Sequence, residues 1–295
     1  MKGQGNPICF FVSDLHGKVD RYNALFQRIS VEKPRAVFLG GDLLPGSAGL
    51  ELPGVGDFIQ DFLIDAFCDL WRPLENQKNG RKPPCFLILG NDDPRSSEPA
   101  ILQGEREGAW QYVYGHTAVF DGHPVYGYPF VPPTPFGLKD WERYDVSRFV
   151  DPGCLHPEEG YHTVDVDPEE LRERTILGDL TGLGPDLESA IMLFHAPPYK
   201  TLLDRAALDG MMFDYVPLDL FVGSIAIQRF ITQRQPLLTL HGHVHESARI
   251  TGSWRDRIGV THCFSAAHDG PELALVRFDP DDLDSASREL ISSPI

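Results

Sequence analysis

Short apolar runs that stop abruptly at polar residues constrain the fold of this chain more than any other feature. They lie at residues 8–12, 36–39, 85–89, 191–194, 237–240 and 273–278. Runs of this length, bounded by turn-forming residues, are typical of buried strands. Between the runs, the spacing of Tyr22, Leu25 and Ile29 predicts a helix, and a similar pattern lies between residues 58 and 71. Alternating strands and helices predict a layered α/β domain.

The net charge, the cysteine content and the length of the apolar runs argue against several classes of protein. The 295 residues include 26 Lys and Arg against 43 Asp and Glu, giving a net charge of -17. Such a field repels the phosphates of duplex nucleic acid, which is therefore not an expected partner. Five scattered cysteines without a CxxC pair indicate neither a disulfide framework nor a thiolate zinc site, so a cytoplasmic location is expected. No apolar run approaches the ~20 residues of a membrane span, so no membrane association is expected.

One stretch, from about residue 96 to 185, interrupts the alternation of strands and helices. It is rich in proline and aromatic residues and contains an acidic helix candidate from Pro168 to Leu177, which the region Asp165 to Asp167 could cap. Strands that end in chemically similar residues flank this stretch on both sides. We therefore interpret residues 1–295 as a single domain with a decorating insertion at about 96–185.

The residues that terminate the strands carry the chemistry. Five runs are followed by side chains that can bind a metal, namely Asp14, His16, Asp42, Asn91, His195, His243 and His245. Ligands in open α/β sheets bind beyond the carboxyl ends of the strands, so these side chains are expected at one rim. Residues two apart on an extended segment point the same way, which predicts that Asp14 and His16 reach one site together. The same holds for His243 and His245.

The types of donor at this rim indicate the class of ion. Carboxylate, imidazole and amide oxygen together suit a first-row divalent ion such as manganese, iron or zinc. The lack of thiolates argues against a structural zinc.

The ordered motifs resemble those of a known family. The series Asp14-x-His16, Gly41-Asp42, Gly90-Asn91, His195 and Gly242-His243-x-His245 resembles the calcineurin-like metallophosphoesterases. The resemblance implies a four-layer α/β/β/α sandwich of two mixed sheets with flanking helices. It also implies two divalent ions (Mn, Fe or Zn) and hydrolysis of a phosphate ester by a metal-bound hydroxide. The ligand set that it implies is Asp14, His16 and His245 for one ion, Asn91, His195 and His243 for the other, and Asp42 as a bridge.

One position departs from the family pattern. Asp92 follows Asn91, where members commonly have a histidine that stabilises the transition state or protonates the leaving oxygen. Asp92 and Asn91 are the candidates for a catalytic role. An aspartate is ordinarily ionised at neutral pH and would repel a phosphoryl group. A small phosphodiester, such as a nucleotide derivative, is therefore favoured as substrate. The alternatives are a phosphomonoesterase or protein phosphatase, and a non-catalytic metal-binding scaffold.

Two neighbouring residues have structural interpretations. His241 is one residue out of phase with His243 and His245, which favours a role in packing. Asp93 precedes Pro94, a pair typical of the start of a helix, so we expect Asp93 to cap one.

Overall fold

A computed structural model describes residues 7–45, 63, 65 and 83–292 of the chain. Apart from Leu63 and Asp65, the helix predicted between residues 58 and 71 lies outside the described residues.

The first of two large sheets has six strands in the order β14-β13-β1-β2-β3-β4. These strands are β1 (Cys9–Val12), β2 (Val37–Gly40), β3 (Cys85–Ile88), β4 (Gln111–Tyr112), β13 (Leu273–Asp279) and β14 (Asp282–Ile291). Strands β1 to β4 are parallel, whereas β13 and β14 are antiparallel to their neighbours. Four of the predicted strands are thus confirmed, and three of them have their carboxyl ends at the same edge.

The second sheet is also mixed and has the order β11-β12-β10-β7-β6-β5. Its strands are β5 (Ala118–Phe120), β6 (His123–Tyr128), β7 (Ile191–Phe194), β10 (Leu238–His241), β11 (Arg255–Ile258) and β12 (Thr261–Ser265). Strands β6, β7, β10 and β12 are parallel. The two remaining predicted strands are confirmed here, next to each other at the centre of the sheet.

Alternate side chains of the central strands enter two different cores. Phe11 and Ile191 belong to an apolar cluster between the sheets, while Phe10 and Met192 belong to a cluster that includes helical residues. Because successive side chains on a strand point to opposite faces, a strand buried on both faces must be apolar throughout, as these runs are. The chain therefore has the predicted fold class, two mixed sheets packed together with helices outside.

Six α-helices are described. They are α1 (Val19–Glu32), α2 (Glu98–Arg106), α3 (Pro168–Glu173), α4 (Ile176–Thr181), α5 (Ile225–Arg234) and α6 (Ser247–Thr251). Helix α1 contains the predicted stripe of Tyr22, Leu25 and Ile29, all of which are buried. No helix within the described ranges is both long and apolar enough to cross a membrane.

The stretch from 96 to 185 contributes to both sheets as well as to the surface. It contains β4, β5 and β6, and β6 pairs along its length with β7. The predicted acidic helix begins as expected, with the Asp167 side chain accepting a hydrogen bond from the amide of Glu169. It ends at Glu173, because Thr175 is extended and caps a new helix, α4, through a bond from the amide of Gly178.

A small hairpin precedes α5. Its strands are β8 (Met212–Phe213) and β9 (Val216–Pro217).

Candidate metal centre

The seven predicted ligand residues lie at the edge where the carboxyl ends of both sheets meet. Hydrogen bonds cross from one sheet to the other at this edge. The amide of His243 donates to Oδ1 of Asp14 at 2.9 Å, and Nδ1 of His195 lies 2.8 Å from the carbonyl oxygen of Gly40. The structure thus brings residues that are as much as 231 positions apart in the chain into one cluster.

Asp14, His16 and His245 form one part of this cluster, which we call the open half. Nε2 of His245 lies 3.1 Å from Oδ1 of Asp14 and 3.2 Å from Nε2 of His16. One ligand atom from each of these residues and from Asp42 lies within 4.8 Å of the others. The side chains of His16 and His245 are 18% and 33% exposed, so this half is accessible from solvent.

Asn91, His195 and His243 form the other part, which we call the buried half because Asn91 and His195 are buried, while His243 is partly exposed. The side chain of His195 is fully buried, and its ring lies 5.4 Å from that of His243. Since Nδ1 of His195 faces the Gly40 carbonyl, a neutral ring presents the lone pair of Nε2 to Oδ1 of Asn91, 3.0 Å away. Two acceptors that face each other need a proton or a cation between them.

Asp42 lies between the two halves. Its Oδ2 is 3.2 Å from Nε2 of His195 and 3.9 Å from Nε2 of His16. Its Oδ1 accepts a hydrogen bond of 2.8 Å from the amide of Asp92. One carboxylate oxygen therefore faces both halves, while the other is held by the backbone.

The backbone at the site is unusual. Asp14, His16, Asp42 and His243 have left-handed conformations, with φ values of 57°, 47°, 52° and 72°. Such conformations cost free energy for residues other than glycine and concentrate at functional sites. They also correct the predicted reason for the pairing of Asp14 with His16. The two side chains meet because the chain turns after β1, not because they lie on an extended segment. The extended-segment reason is also wrong for His243 and His245, which lie in a bend and a turn after β10.

Glycines allow the close packing around these side chains. A Cβ on Gly90 would lie 2.7 Å from Cε1 of His195, and one on Gly242 would lie 2.0 Å from Oγ of Ser13. The loops of the two sheets can therefore approach each other only if these positions lack a side chain.

The electrostatics of the site favour positive charge. Burial alone would raise the pKa of Asp42, but the charges of His195 and His16 lower it to about 2. Burial would lower the pKa of His195, but the charge of Asp42 outweighs it and raises the pKa to about 9. The pKa of His16 also rises to about 9 against the effect of burial, through a hydrogen bond to Asp92 and the charge of Asp42. In the absence of a cation the carboxylates are therefore paired with protonated histidine rings. A bound cation would take the place of those protons.

The buried half differs in that one of its rings is held neutral. Burial and the charge of His195 lower the pKa of His243 to about 3. A neutral imidazole is the form that binds a metal.

Asp93 has a structural role other than the predicted one. Its carboxylate accepts hydrogen bonds from the amides of Leu43, Leu44 and Gly90, and it caps no helix. The expectation of a helix cap was wrong because three amides of the turns after β2 and β3 point at this buried side chain. Asp93 thereby fixes the turns that carry Asp42 and Asn91.

His241 packs as predicted. Its Nδ1 lies 2.9 Å from the carbonyl oxygen of Ala196, and its Nε2 lies 2.7 Å from Oγ1 of Thr239.

Sequence reasoning missed two supports of Asp14. The Arg21 guanidinium donates to the carbonyl oxygen of Asp14 and to that of Gly270, and Oγ of Ser13 donates to Oδ2 of Asp14 at 2.5 Å. Ser13 lies next to a predicted ligand, which is the signal that could have found it. Arg21 has no such signal, since an arginine in a helical pattern is ordinarily exposed.

The fold and this site can be compared with known proteins. No family model matches the chain. A stretch of 96 residues is 32% identical to an uncharacterized protein of Methanocaldococcus jannaschii, and the match covers 32% of this chain and 38% of that relative.

Solved structures are similar over most of the chain. The protein TT1561 of Thermus thermophilus is 15% identical with a TM-score of 0.52, and the alignment covers 97% of this chain and 99% of that one. The phosphopantetheinyl hydrolase PptH of Mycobacterium tuberculosis is 12% identical with a TM-score of 0.50, over 90% and 91% of the two chains. At such identities the likeness shows a shared fold.

Proposed function

We propose that this chain, which has the calcineurin-like metallophosphoesterase fold, is a metal-dependent hydrolase that cleaves a small phosphodiester. The observation that carries the proposal is the position of Asp42. Its Oδ2 faces His195 on one side and His16 on the other, as a carboxylate shared by two ions would. The Mycobacterium tuberculosis protein of the same fold, which is named a hydrolase, supports the reaction class.

The donor set fits two divalent ions. In the proposal, Asp14, His16 and His245 hold one, Asn91, His195 and His243 hold the other, and Asp42 is shared. Nitrogen and oxygen donors without thiolates suit manganese, iron or zinc. When bound, such a pair polarises phosphoryl oxygens and makes a hydroxide nucleophile available at neutral pH.

The residues of the chain determine how a substrate approaches and how the site is held. The partly exposed rings of His16 and His245 support an entrance at the open half, whereas the side chain of His195 is sealed from solvent. The amide of Asp92 fixes the orientation of Asp42, and Asp93 fixes the turns on either side. The substrate therefore meets a site whose shared carboxylate cannot rotate away.

Charge at the entrance supports a diester as substrate. The carboxylate of Asp92 is 32% exposed beside His16, at the sequence position where the resembled family commonly has a histidine. A phosphomonoester carries up to two negative charges and a diester only one, so the diester is repelled less by this carboxylate.

The proposal is tested with chromogenic substrates. Metal-depleted protein is assayed with added Mn²⁺ on bis(p-nitrophenyl) phosphate and on p-nitrophenyl phosphate. We expect turnover only with the metal and a higher kcat/KM for the diester. A higher kcat/KM for the monoester would favour a phosphomonoesterase, and tight Mn²⁺ binding without turnover of either would indicate a scaffold.

A further inference from the structure

We propose that Asp92 is a positioning residue for His16: its carboxylate holds the ring in the tautomer and orientation that present Nε2 to the ion of the open half. This inference rests on the proposed metal centre. It assigns to Asp92 a function that does not require contact with the substrate.

The geometry of the pair determines which nitrogen carries the proton. Oδ2 of Asp92 lies 3.1 Å from Nδ1 of His16. A carboxylate can only accept, so the ring donates from Nδ1, and in the neutral ring Nε2 is then the nitrogen without a hydrogen. Nε2 is also the atom that lies 3.2 Å from Nε2 of His245 and 3.9 Å from Oδ2 of Asp42. The hydrogen bond to Asp92 therefore leaves unprotonated the same nitrogen of His16 that faces the proposed ion.

The corresponding histidine of the buried half shows why His16 needs such a partner. Nδ1 of His195 is fixed by the carbonyl oxygen of Gly40, and packing encloses the ring completely. The side chain of His16 is 18% exposed, so packing constrains its ring less. A hydrogen bond from the outer nitrogen of a ligating histidine orients the ring and typically changes metal affinity by roughly 10- to 100-fold.

Asp92 makes a second contact that can be separated from the first. Its amide donates to Oδ1 of Asp42, a bond that any side chain at position 92 leaves in place. Substitution of the Asp92 side chain therefore tests the support of His16 while the backbone support of Asp42 remains. Asp92→Ala removes the acceptor, whereas Asp92→Asn keeps an acceptor oxygen and removes the charge.

Mn²⁺ titration without substrate, followed by electron paramagnetic resonance, measures the effect. We expect Asp92→Ala to weaken one of two binding steps about 10-fold or more and to leave the other unchanged. Asp92→Asn should weaken the same step less. Asp269→Asn is the matched control, since Asp269 is 28% exposed and bonded to Arg249, and it should leave both steps unchanged.

A nuclear magnetic resonance experiment on the Zn²⁺-loaded protein checks the tautomer. We expect a protonated Nδ1 on His16 that is protected from exchange with water in the wild type and in Asp92→Asn, and loss of that protection in Asp92→Ala. Circular dichroism of the metal-free variants confirms that each is folded.

The outcomes separate this inference from the proposed function. If the wild type bound no Mn²⁺, the metal centre and the inference would both be overturned. If the wild type bound two ions and Asp92→Ala bound them equally well with the same His16 tautomer, only the positioning role would be overturned. A loss of kcat without a change in metal binding would instead place Asp92 in contact with the substrate.

Discussion

The two halves of the candidate centre are held in different ways. In the buried half, His195 is sealed from solvent and bonded to a backbone carbonyl, and Gly90 allows it to pack against Asp42. In the open half, His16 and His245 are partly exposed, and the partner of His16 is the side chain of Asp92. Backbone contacts and packing thus hold His195, whereas a side-chain contact near the surface holds His16.

This difference indicates where the site can vary. A side chain such as Asp92 can be replaced without disturbing the core, whereas the contacts of His195 involve the backbone of both sheets. We therefore expect substitution of His195 to affect folding and metal binding together, and substitution of Asp92 or His16 to affect metal binding alone.

The largest effect is expected from Asp42→Asn, because Asp42 faces both halves. We expect loss of both ions and a fall in diesterase activity of about 100-fold or more, with a smaller loss for Asp14→Asn. Metal analysis by mass spectrometry and kcat/KM measure the two effects. Asp204→Asn is the control, since this buried carboxylate accepts from the amides of Lys200, Thr201 and Gly223 and should leave metal content intact. Wild-type metal content in Asp42→Asn would contradict the shared position.

The four histidine ligands test the partition of the centre. His195→Ala and His243→Ala should abolish the same step of a calorimetric Mn²⁺ titration, and His16→Ala and His245→Ala should abolish the other. Each variant should retain one ion, because the ligands of the other half remain. A variant that loses the step assigned to the opposite half would overturn the partition.

The pH dependence of metal binding follows from the raised pKa values of about 9 for His16 and His195 in the cation-free protein. Below pH 9 both rings are doubly protonated, and one proton must leave a ring when an ion binds to it. The affinity for the ion therefore falls as the pH falls. We expect about a tenfold change in affinity per pH unit for each ion and release of about one proton per ion. Calorimetry in buffers of different ionisation enthalpy counts these protons. Binding without proton release would show that the rings are already neutral.

The smallest effect is expected from Gly90→Ala, which tests the packing of the buried half. The new Cβ would lie 2.3 Å from Oδ1 of Asp42 and 2.7 Å from Cε1 of His195, so one of them must move. We expect a loss of ~1–3 kcal/mol in the free energy of unfolding, measured with urea, together with weaker metal binding. Gly184→Ala is the control because a Cβ there meets nothing within 4 Å. Equal stability of the two variants would contradict the close packing at Gly90.

The sequence predicted the parts of the molecule that depend on local pattern. Apolar runs buried on both faces identified the strands, and the residues after them identified the rim. The left-handed turn at Asp14 and His16 could not be predicted, because it depends on how the two sheets meet. The partner of His16 could not be predicted either, since Asp92 is 76 positions away and its motif suggested contact with a phosphate. That residues 96–185 decorate a single domain, and that the protein is cytoplasmic, stay predictions.

Whether Asp42 is shared by two ions can be seen by anomalous diffraction from crystals of the wild-type protein with Mn²⁺. We expect two peaks roughly 4 Å apart, one in each half, with Oδ2 of Asp42 between them. A single peak, or two peaks that do not both contact Asp42, would contradict that arrangement.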